Sequence, residues 1–177
     1  MRHRLVRIAV SLAPLALLAA LQDPRPLPPA HFGALVTCSG DNSKVAAART
    51  LRVTDAGTWA KLWLEHLGQP IPDGDYGWYT NHREIPEIDF EHCTVVAVCR
   101  GKRRNEIGLR AVEAFVHDGT TTLRLDPKSV QSIGAAMRTQ PFGFFVLPRV
   151  DGAIVVEENA QNRIGGEPIW REIARLE

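Results

Sequence analysis

The segment Cys93–Cys99, with the sequence CTVVAVC, limits the folds open to this chain more than any other segment. Successive residues of a β-strand point to opposite faces of the sheet, and here both sets of positions are largely apolar. Such a strand is predicted to lie in the middle of a sheet that is buried on both faces. Residues 94–98 are therefore expected to form a central strand of the fold.

A second pattern predicts one amphipathic helix at about residues 55–67. Thr54 or Asp55 can accept hydrogen bonds from the first N–H groups of this helix. Its apolar residues follow the spacing i, i+3, i+4 and i+8 and so share one face: Trp59, Leu62, Trp63 and Leu67. The two tryptophans are expected to pack the helix against a sheet.

The rest of the chain is dominated by short strand patterns separated by turn residues. Further strands are predicted at residues 33–38, 48–53, 108–117, 120–125, 141–147 and 153–157. Asp118-Gly119 predicts a hairpin turn, and Asp126-Pro127 is expected to end the strand that follows it. Residues 127–137 fit either a helical turn or a loop.

The C-terminus carries a second helix signal. Pro168 stands where a first helical residue is expected, with apolar residues after it: Ile169, Trp170, Ile173 and Leu176. The patterns together predict a mainly β, α+β fold. We expect a single antiparallel β-sandwich or barrel-like domain with one packed helix and a possible short C-terminal helix.

The N-terminus has the pattern of a secretory signal peptide, predicted at residues 1–22. A start rich in arginine precedes residues 8–21, which are almost wholly apolar and interrupted by Pro14. This run is shorter than the roughly 20 residues that span a bilayer. Cleavage between Ala20 and Asp23 would release a secreted or periplasmic protein with no further membrane insertion.

The predicted mature chain has two parts. Residues 23–32 hold four prolines and are expected to form a stiff linker, and residues 33–177 are expected to form one β-rich domain. Removing the three signal arginines from the 21 basic residues leaves 18 against 20 acidic ones. Because nucleic-acid binders show a strong basic excess, no nucleic-acid partner is expected.

The three cysteines allow two interpretations. Cys93 and Cys99 lie six residues apart in one predicted strand, roughly 20 Å at about 3.3 Å per residue, which is too far for a disulfide. Cys38 could pair with either of them, leaving one thiol free. Alternatively, all three are small buried residues without a bond.

Motifs for catalysis are missing from the sequence. There is no Gly-x-Ser-x-Gly elbow, no phosphate-binding glycine loop and no short histidine metal motif. His92 and Cys93 are neighbours on a strand and so are expected to face opposite sides. His66 is expected to be a cation favoured by the dipole at the helix C-terminus. We therefore predict no enzyme activity, no metal and no cofactor.

Two loops are candidate binding sites. One is the basic turn that follows the central strand: Arg100, Lys102, Arg103, Arg104 and Asn105. Its concentrated positive charge suits an acidic partner surface or an anionic polymer, although a solvated turn would look the same. The other is the long loop of residues 68–86, with the aromatic residues Tyr76, Trp78 and Tyr79. These aromatics can anchor an interface, or they can fold back over the core.

Parts of the sequence resemble PrcB C-terminal-like domains, a family of exported bacterial modules associated with a protease complex. The resemblance covers residues 35–156 and rests on short motifs: residues 59–66, 86–90, 95–98, 101–103, 139–142 and 147–149. After Gly-x-Arg the family usually continues Pro-Thr-Gly-Gly-Tyr, whereas this chain continues with Arg104-Asn105-Glu106-Ile107-Gly108. A contact that the family makes through this loop would therefore be changed or lost here.

Three functions follow as hypotheses. The first is an exported, non-enzymatic module that binds another protein, such as a protease or its complex, through the basic turn and the loop around Trp78. The second is a glycan-binding module that uses the aromatic residues of that loop. The third is a small hydrolase whose site is assembled from residues distant in the sequence.

Overall fold

The computed structural model describes residues 30–34, 36–70, 85–131, 133–161 and 165–177. These residues form one helix, α1 (Ala56–Leu67), and eleven strands. The strands are β1 (Ala30–Phe32), β2 (Val36–Gly40), β3 (Arg49–Val53), β4 (Cys93–Cys99), β5 (Arg103–Arg104), β6 (Glu106–His117), β7 (Thr120–Ser129), β8 (Arg138–Thr139), β9 (Phe142–Pro148), β10 (Ile154–Asn159) and β11 (Trp170–Leu176).

The strands form two packed sheets and a short ribbon. One sheet has the order β1-β6-β7-β10-β11, the other has the order β2-β9-β4-β3, and β5 pairs with β8 alone. Neighbouring strands are antiparallel except for β7 and β10, which are parallel. The prediction of a β-sandwich-like α+β domain with one packed helix is confirmed.

The position of β4 confirms that its segment is central. β4 pairs with β9 on one side and β3 on the other, and its residues from Thr94 to Cys99 are buried. Val96 and Val98 belong to the core between the two sheets, whereas Val95 belongs to the core beneath α1. Both faces of the strand are covered, as its apolar pattern requires.

The helix lies where its sequence predicts. Oδ1 of Asp55 accepts a hydrogen bond of 2.8 Å from the Thr58 N–H, and this bond lowers the pKa of the Asp55 carboxyl. Gly68 ends the helix in the left-handed conformation, at φ 69°. Trp59 is buried and meets Phe144 of the four-stranded sheet edge to face at 5.3 Å, so α1 packs on that sheet.

The β6–β7 hairpin confirms the predicted turn and corrects the predicted end of β7. Asp118 and Gly119 both have positive φ angles, 48° and 73°, as a tight hairpin turn requires. Asp126-Pro127 does not end the strand, which continues to Ser129. β10 pairs with β7 only as far as Leu125, so beyond that point β7 has one neighbour and tolerates a proline.

The predicted C-terminal helix is wrong, because Trp170–Leu176 is the strand β11. It pairs with β10, with Leu176 opposite Ile154. Ala174 and Leu176 pack against the core between the sheets, a spacing of two residues that suits a strand. The gain from pairing with a distant strand outweighs the local helix signal at Pro168.

The predicted linker is also too long. Ala30–Phe32 forms β1 and pairs with β6, so the domain begins before residue 33. Residues 1–29, which hold the predicted signal peptide and the rest of the linker, lie outside the described residues. Within the described part of the chain, no helix is long and apolar enough to cross a membrane.

The cysteines are free thiols. Cys93 and Cys99 lie at opposite ends of β4, which confirms that they do not pair with each other. Cys38 lies on β2, with β9 between it and β4, and forms no bond with either. Burial raises the pKa of the Cys38 and Cys99 thiols, so both favour the protonated form.

Candidate functional site: a basic groove

Arg100, the first predicted binding residue, is largely buried and paired within the fold. Its side chain is only 14% exposed and forms ion pairs with Glu106 and Glu158, which are 10% and 17% exposed. Burial raises the pKa of Glu106, while the nearby guanidinium of Arg100 favours its charged form. Arg100 therefore neutralises two carboxylates within the fold and is not available to a partner.

Asn105, the last predicted binding residue, fixes the end of the basic turn. Its backbone is left-handed at φ 59°, a conformation that asparagine tolerates. Its N–H donates to the Met137 carbonyl at 2.9 Å, and its carbonyl accepts from the Val130 N–H at 2.8 Å. Its side-chain Oδ1 also accepts a hydrogen bond from the Met137 N–H, at 2.8 Å. Asn105 thus joins two loops.

The other predicted cations of the turn point into solvent. Lys102, Arg103 and Arg104 are exposed, and the last two form β5. β5 pairs with β8 so that Arg103 lies opposite Thr139 and Arg104 lies opposite Arg138. The ribbon therefore adds a fourth exposed cation, Arg138, which comes from a distant part of the chain.

A third segment, residues 41–44, completes the site through backbone hydrogen bonds to Gln140. The Gln140 N–H donates to the Asp41 carbonyl at 2.7 Å, and the Gln140 carbonyl accepts from the Ser43 N–H at 3.1 Å. These bonds hold the segment beside β8 and bring Lys44 to the same surface as the ribbon.

The three segments enclose an open groove of about 610 Å³, which we call the basic groove. Its lining residues are Asp41, Asn42, Lys44, Lys102, Arg103, Arg104, Arg138, Thr139 and Gln140. Five of them are cations and one is a carboxylate. None of the five cations forms an ion pair with a carboxylate of the described residues.

Sequence reasoning found only part of this groove. It identified Lys102, Arg103 and Arg104, but it missed Lys44 and Arg138. The sequence around Asp41 carries no local sign of proximity to the basic loop. The backbone bonds of Gln140 and the pairing of β5 with β8 bring these segments together.

The second predicted binding region, the aromatic loop, lies outside the residues that the structure describes. Tyr76, Trp78 and Tyr79 belong to residues 71–84, which lie beyond the described residues. Their predicted roles in protein or glycan binding therefore stay predictions.

One Ser–His pair bears on the hydrolase hypothesis. The His66 Nδ1 and Ser43 Oγ atoms lie 3.0 Å apart, but the two residues are only 7% and 1% exposed. Burial lowers the pKa of His66, which favours the neutral ring over the cation that was expected at the helix C-terminus. The ring also packs on Phe142 at 4.2 Å between centroids. A substrate cannot reach the buried Ser43 hydroxyl, so the pair does not form a hydrolase site. Its role is structural, because it links α1 to the segment that follows β2.

Two further features of the described residues are candidate sites. Asp89, Glu91 and His92 place potential metal ligands within 4.8 Å of one another, but all three are exposed. Asp89 Oδ2 and His92 Nδ1 are 2.8 Å apart, and this bond lowers the pKa of Asp89. An apolar groove of about 330 Å³ lies beside Trp63 and Cys38. Neither feature concentrates charge as the basic groove does.

Comparison with known proteins gives no match to a family model, to a curated protein or to a solved structure. The resemblance to PrcB C-terminal-like domains therefore stays a prediction from the sequence.

Proposed function

We propose that this protein is a non-enzymatic binding module that holds an acidic segment of a partner protein in the basic groove. The observation that carries the proposal is the gathering of five cations around one concave surface without ion pairs among the described residues. Like charges repel, so such a cluster lowers stability unless an anion neutralises it. A ligand that brings carboxylates would supply this neutralisation.

The chemistry of the cations suits carboxylates. Arg103, Arg104 and Arg138 each present a planar fork of N–H donors that can hold a carboxylate through two parallel hydrogen bonds. Lys44 and Lys102 add mobile point charges at the margins. Because the groove is open to solvent, each contact is worth little, and affinity would come from several acting together.

The sequence suggests in which compartment the partner lies and what kind of protein it is. The signal-peptide pattern supports a partner outside the cytoplasm, and the resemblance to PrcB C-terminal-like domains suggests a protease or a protein of its complex. The changed loop after Arg103 supports a partner or a contact that differs from the family's.

A labelled hexaglutamate peptide tests the proposal by fluorescence anisotropy. We expect saturable binding that weakens as NaCl is raised, because salt screens exposed charges beyond a Debye length of about 10 Å at 0.1 M. The double variant Arg103→Glu with Arg104→Glu should bind at least about tenfold more weakly, which corresponds to roughly 1.4 kcal/mol.

The matched control is Lys61→Glu with Arg171→Glu. It makes the same change in net charge at two exposed residues outside the groove, on α1 and β11. This control should keep the affinity within about twofold, since screening weakens distant charges. Equal losses in the two double variants, or no saturable binding by the wild type, would refute the proposal.

A further inference from the structure

The register of the β5–β8 ribbon places two arginines directly opposite each other. Arg104 faces Arg138 across the antiparallel pair, and directly opposed side chains share one face with Cβ atoms about 4.5–5.5 Å apart. Both side chains are exposed. Like charges in this arrangement destabilise a strand pair. The register therefore places two arginines on one face of the ribbon, where their like charges repel each other.

In the five-stranded sheet, by contrast, two arginines lie opposite carboxylates. Arg110 lies opposite Asp126, and their side chains form an ion pair at 2.6 Å. Arg124 lies opposite Glu113 on one side and Glu157 on the other, at 2.6 and 2.7 Å.

The ribbon departs from this pattern at the groove. Sites that break the rules a fold follows elsewhere are where function is expected. The Arg104–Arg138 pair is therefore the part of the groove that points most directly to a ligand.

Hydrogen bonds on both sides hold the ribbon in place before any ligand arrives. Asn105 bonds to Met137 beyond one end of the pair, and Gln140 bonds to residues 41–43 beyond the other. A preformed arrangement lowers the entropy cost of binding. The two guanidinium groups are thus carried on a backbone that is already ordered.

We propose that Arg104 and Arg138 form a clamp that grips neighbouring carboxylates of an extended acidic peptide. This inference rests on the proposed function and names the residues that anchor its ligand. The two guanidinium groups supply paired donors on one face, so two carboxylates close together on a peptide match them better than one isolated charge.

The rest of the lining favours a peptide over a bare anion. Asp41, Asn42 and Gln140 bring oxygen acceptors into the groove beside the cations. The backbone N–H groups of a peptide can donate to these acceptors while its carboxylates meet the arginines. Phosphate ions or polyphosphate would bring few donors to these acceptors.

The first test compares Arg138→Gln with Lys44→Gln, using the labelled hexaglutamate peptide. Both changes remove one groove cation, but only Arg138 belongs to the clamp. We expect Arg138→Gln to weaken binding about tenfold or more and Lys44→Gln about twofold to threefold. Arg138→Lys keeps the charge without the fork and should fall between wild type and Arg138→Gln.

The outcomes separate the two proposals. If hexaglutamate binds the wild type and Arg138→Gln costs no more than Lys44→Gln, the clamp is refuted while the groove's function stands. If the wild type does not bind the peptide, both are refuted. If inorganic phosphate competes at the same concentration as hexaglutamate, the peptide is not the preferred occupant.

A second variant, Arg104→Glu, separates a clamp from a structural pair. It places a carboxylate opposite Arg138, as Asp126 lies opposite Arg110. We expect the unfolding temperature without ligand to rise by roughly 1–4 °C while peptide binding is lost. A fall in unfolding temperature would show that Arg104 supports the fold and would overturn the clamp.

Discussion

Arg100 and Arg104 are four residues apart in the sequence, yet the fold gives them opposite roles. Arg100 is largely buried between Glu106 and Glu158 and holds their charges inside the sandwich. Arg104 is exposed on a ribbon opposite Arg138, without a carboxylate partner among the described residues. The difference lies in which distant residues the topology brings beside each side chain.

This contrast teaches that a run of cations in a sequence is not by itself a binding surface. The part that lies near acidic residues of the same fold becomes structural, and only the remainder is available to a partner. For the turn that begins at Arg100, the division falls at Gly101. This glycine is buried, with a φ angle of 65°, and an added Cβ would lie 2.9 Å from the Ala46 carbonyl oxygen.

The largest expected effect on the free energy of unfolding comes from replacing the buried cation, Arg100. Arg100→Met should lower the free energy of unfolding by about 3 kcal/mol at pH 7, because it leaves two partly buried carboxylates uncompensated. Urea denaturation measures this change. Arg110→Met is the control and should cost less than about 1 kcal/mol, since its ion pair is exposed.

The pH dependence of the same variant adds a second check. Burial already raises the pKa of Glu106 above its usual 4.5, so in the folded state this carboxyl takes up its proton at a higher pH than in the unfolded chain. The cost of Arg100→Met should therefore shrink as the pH falls from 7 towards 4.5. Equal costs for Arg100→Met and Arg110→Met at pH 7 would show that Arg100 is not a structural cation.

An intermediate effect is expected at His66. Burial holds its pKa below the usual 6.5, so the unfolded chain binds more protons than the folded one. The neutral His66 therefore contributes to stability above pH 6.5. This contribution is lost as the pH falls from 6.5 towards the lower pKa that His66 has in the folded state. Stability curves measured between pH 7.5 and 5 should therefore be flatter for His66→Gln than for the wild type. A slope that does not change would mean that folding leaves the pKa of His66 unshifted.

The smallest effect on the free energy of unfolding is expected from replacing an exposed cation, Arg103. Arg103→Ala should change the free energy of unfolding by less than about 0.5 kcal/mol, because its side chain is exposed and forms no ion pair with a described carboxylate. Thermal unfolding at low and high salt measures this. A loss above 1 kcal/mol would place Arg103 with Arg100 as part of the fold.

Local patterns were sufficient to predict much of the fold. β4 was predicted because both faces of Cys93–Cys99 are apolar, and α1 because its cap and apolar spacing lie within one segment. β11 was missed because its strand conformation depends on pairing with β10, which no local signal at Pro168 reports. β7 was cut short because its tolerance of Pro127 depends on where β10 ends.

The candidate site was less predictable for the same physical reason. Lys102 and Arg103 were visible as a charged turn, but Arg138 joins them through tertiary contacts, above all the pairing of β5 with β8. The role of Arg100 was predicted wrongly because Glu158 lies 58 residues further along the chain. Charge availability is a tertiary property, so a single sequence reports it poorly.

The most direct measurement is an NMR titration of hexaglutamate into the isotopically labelled protein, following the arginine Nε–Hε resonances. We predict that the signals of Arg103, Arg104 and Arg138 shift in a saturable manner and that the signal of Arg100 stays in place. Shifts of similar size at Arg100, or no shifts at the three groove arginines, would contradict the division between structural and available cations.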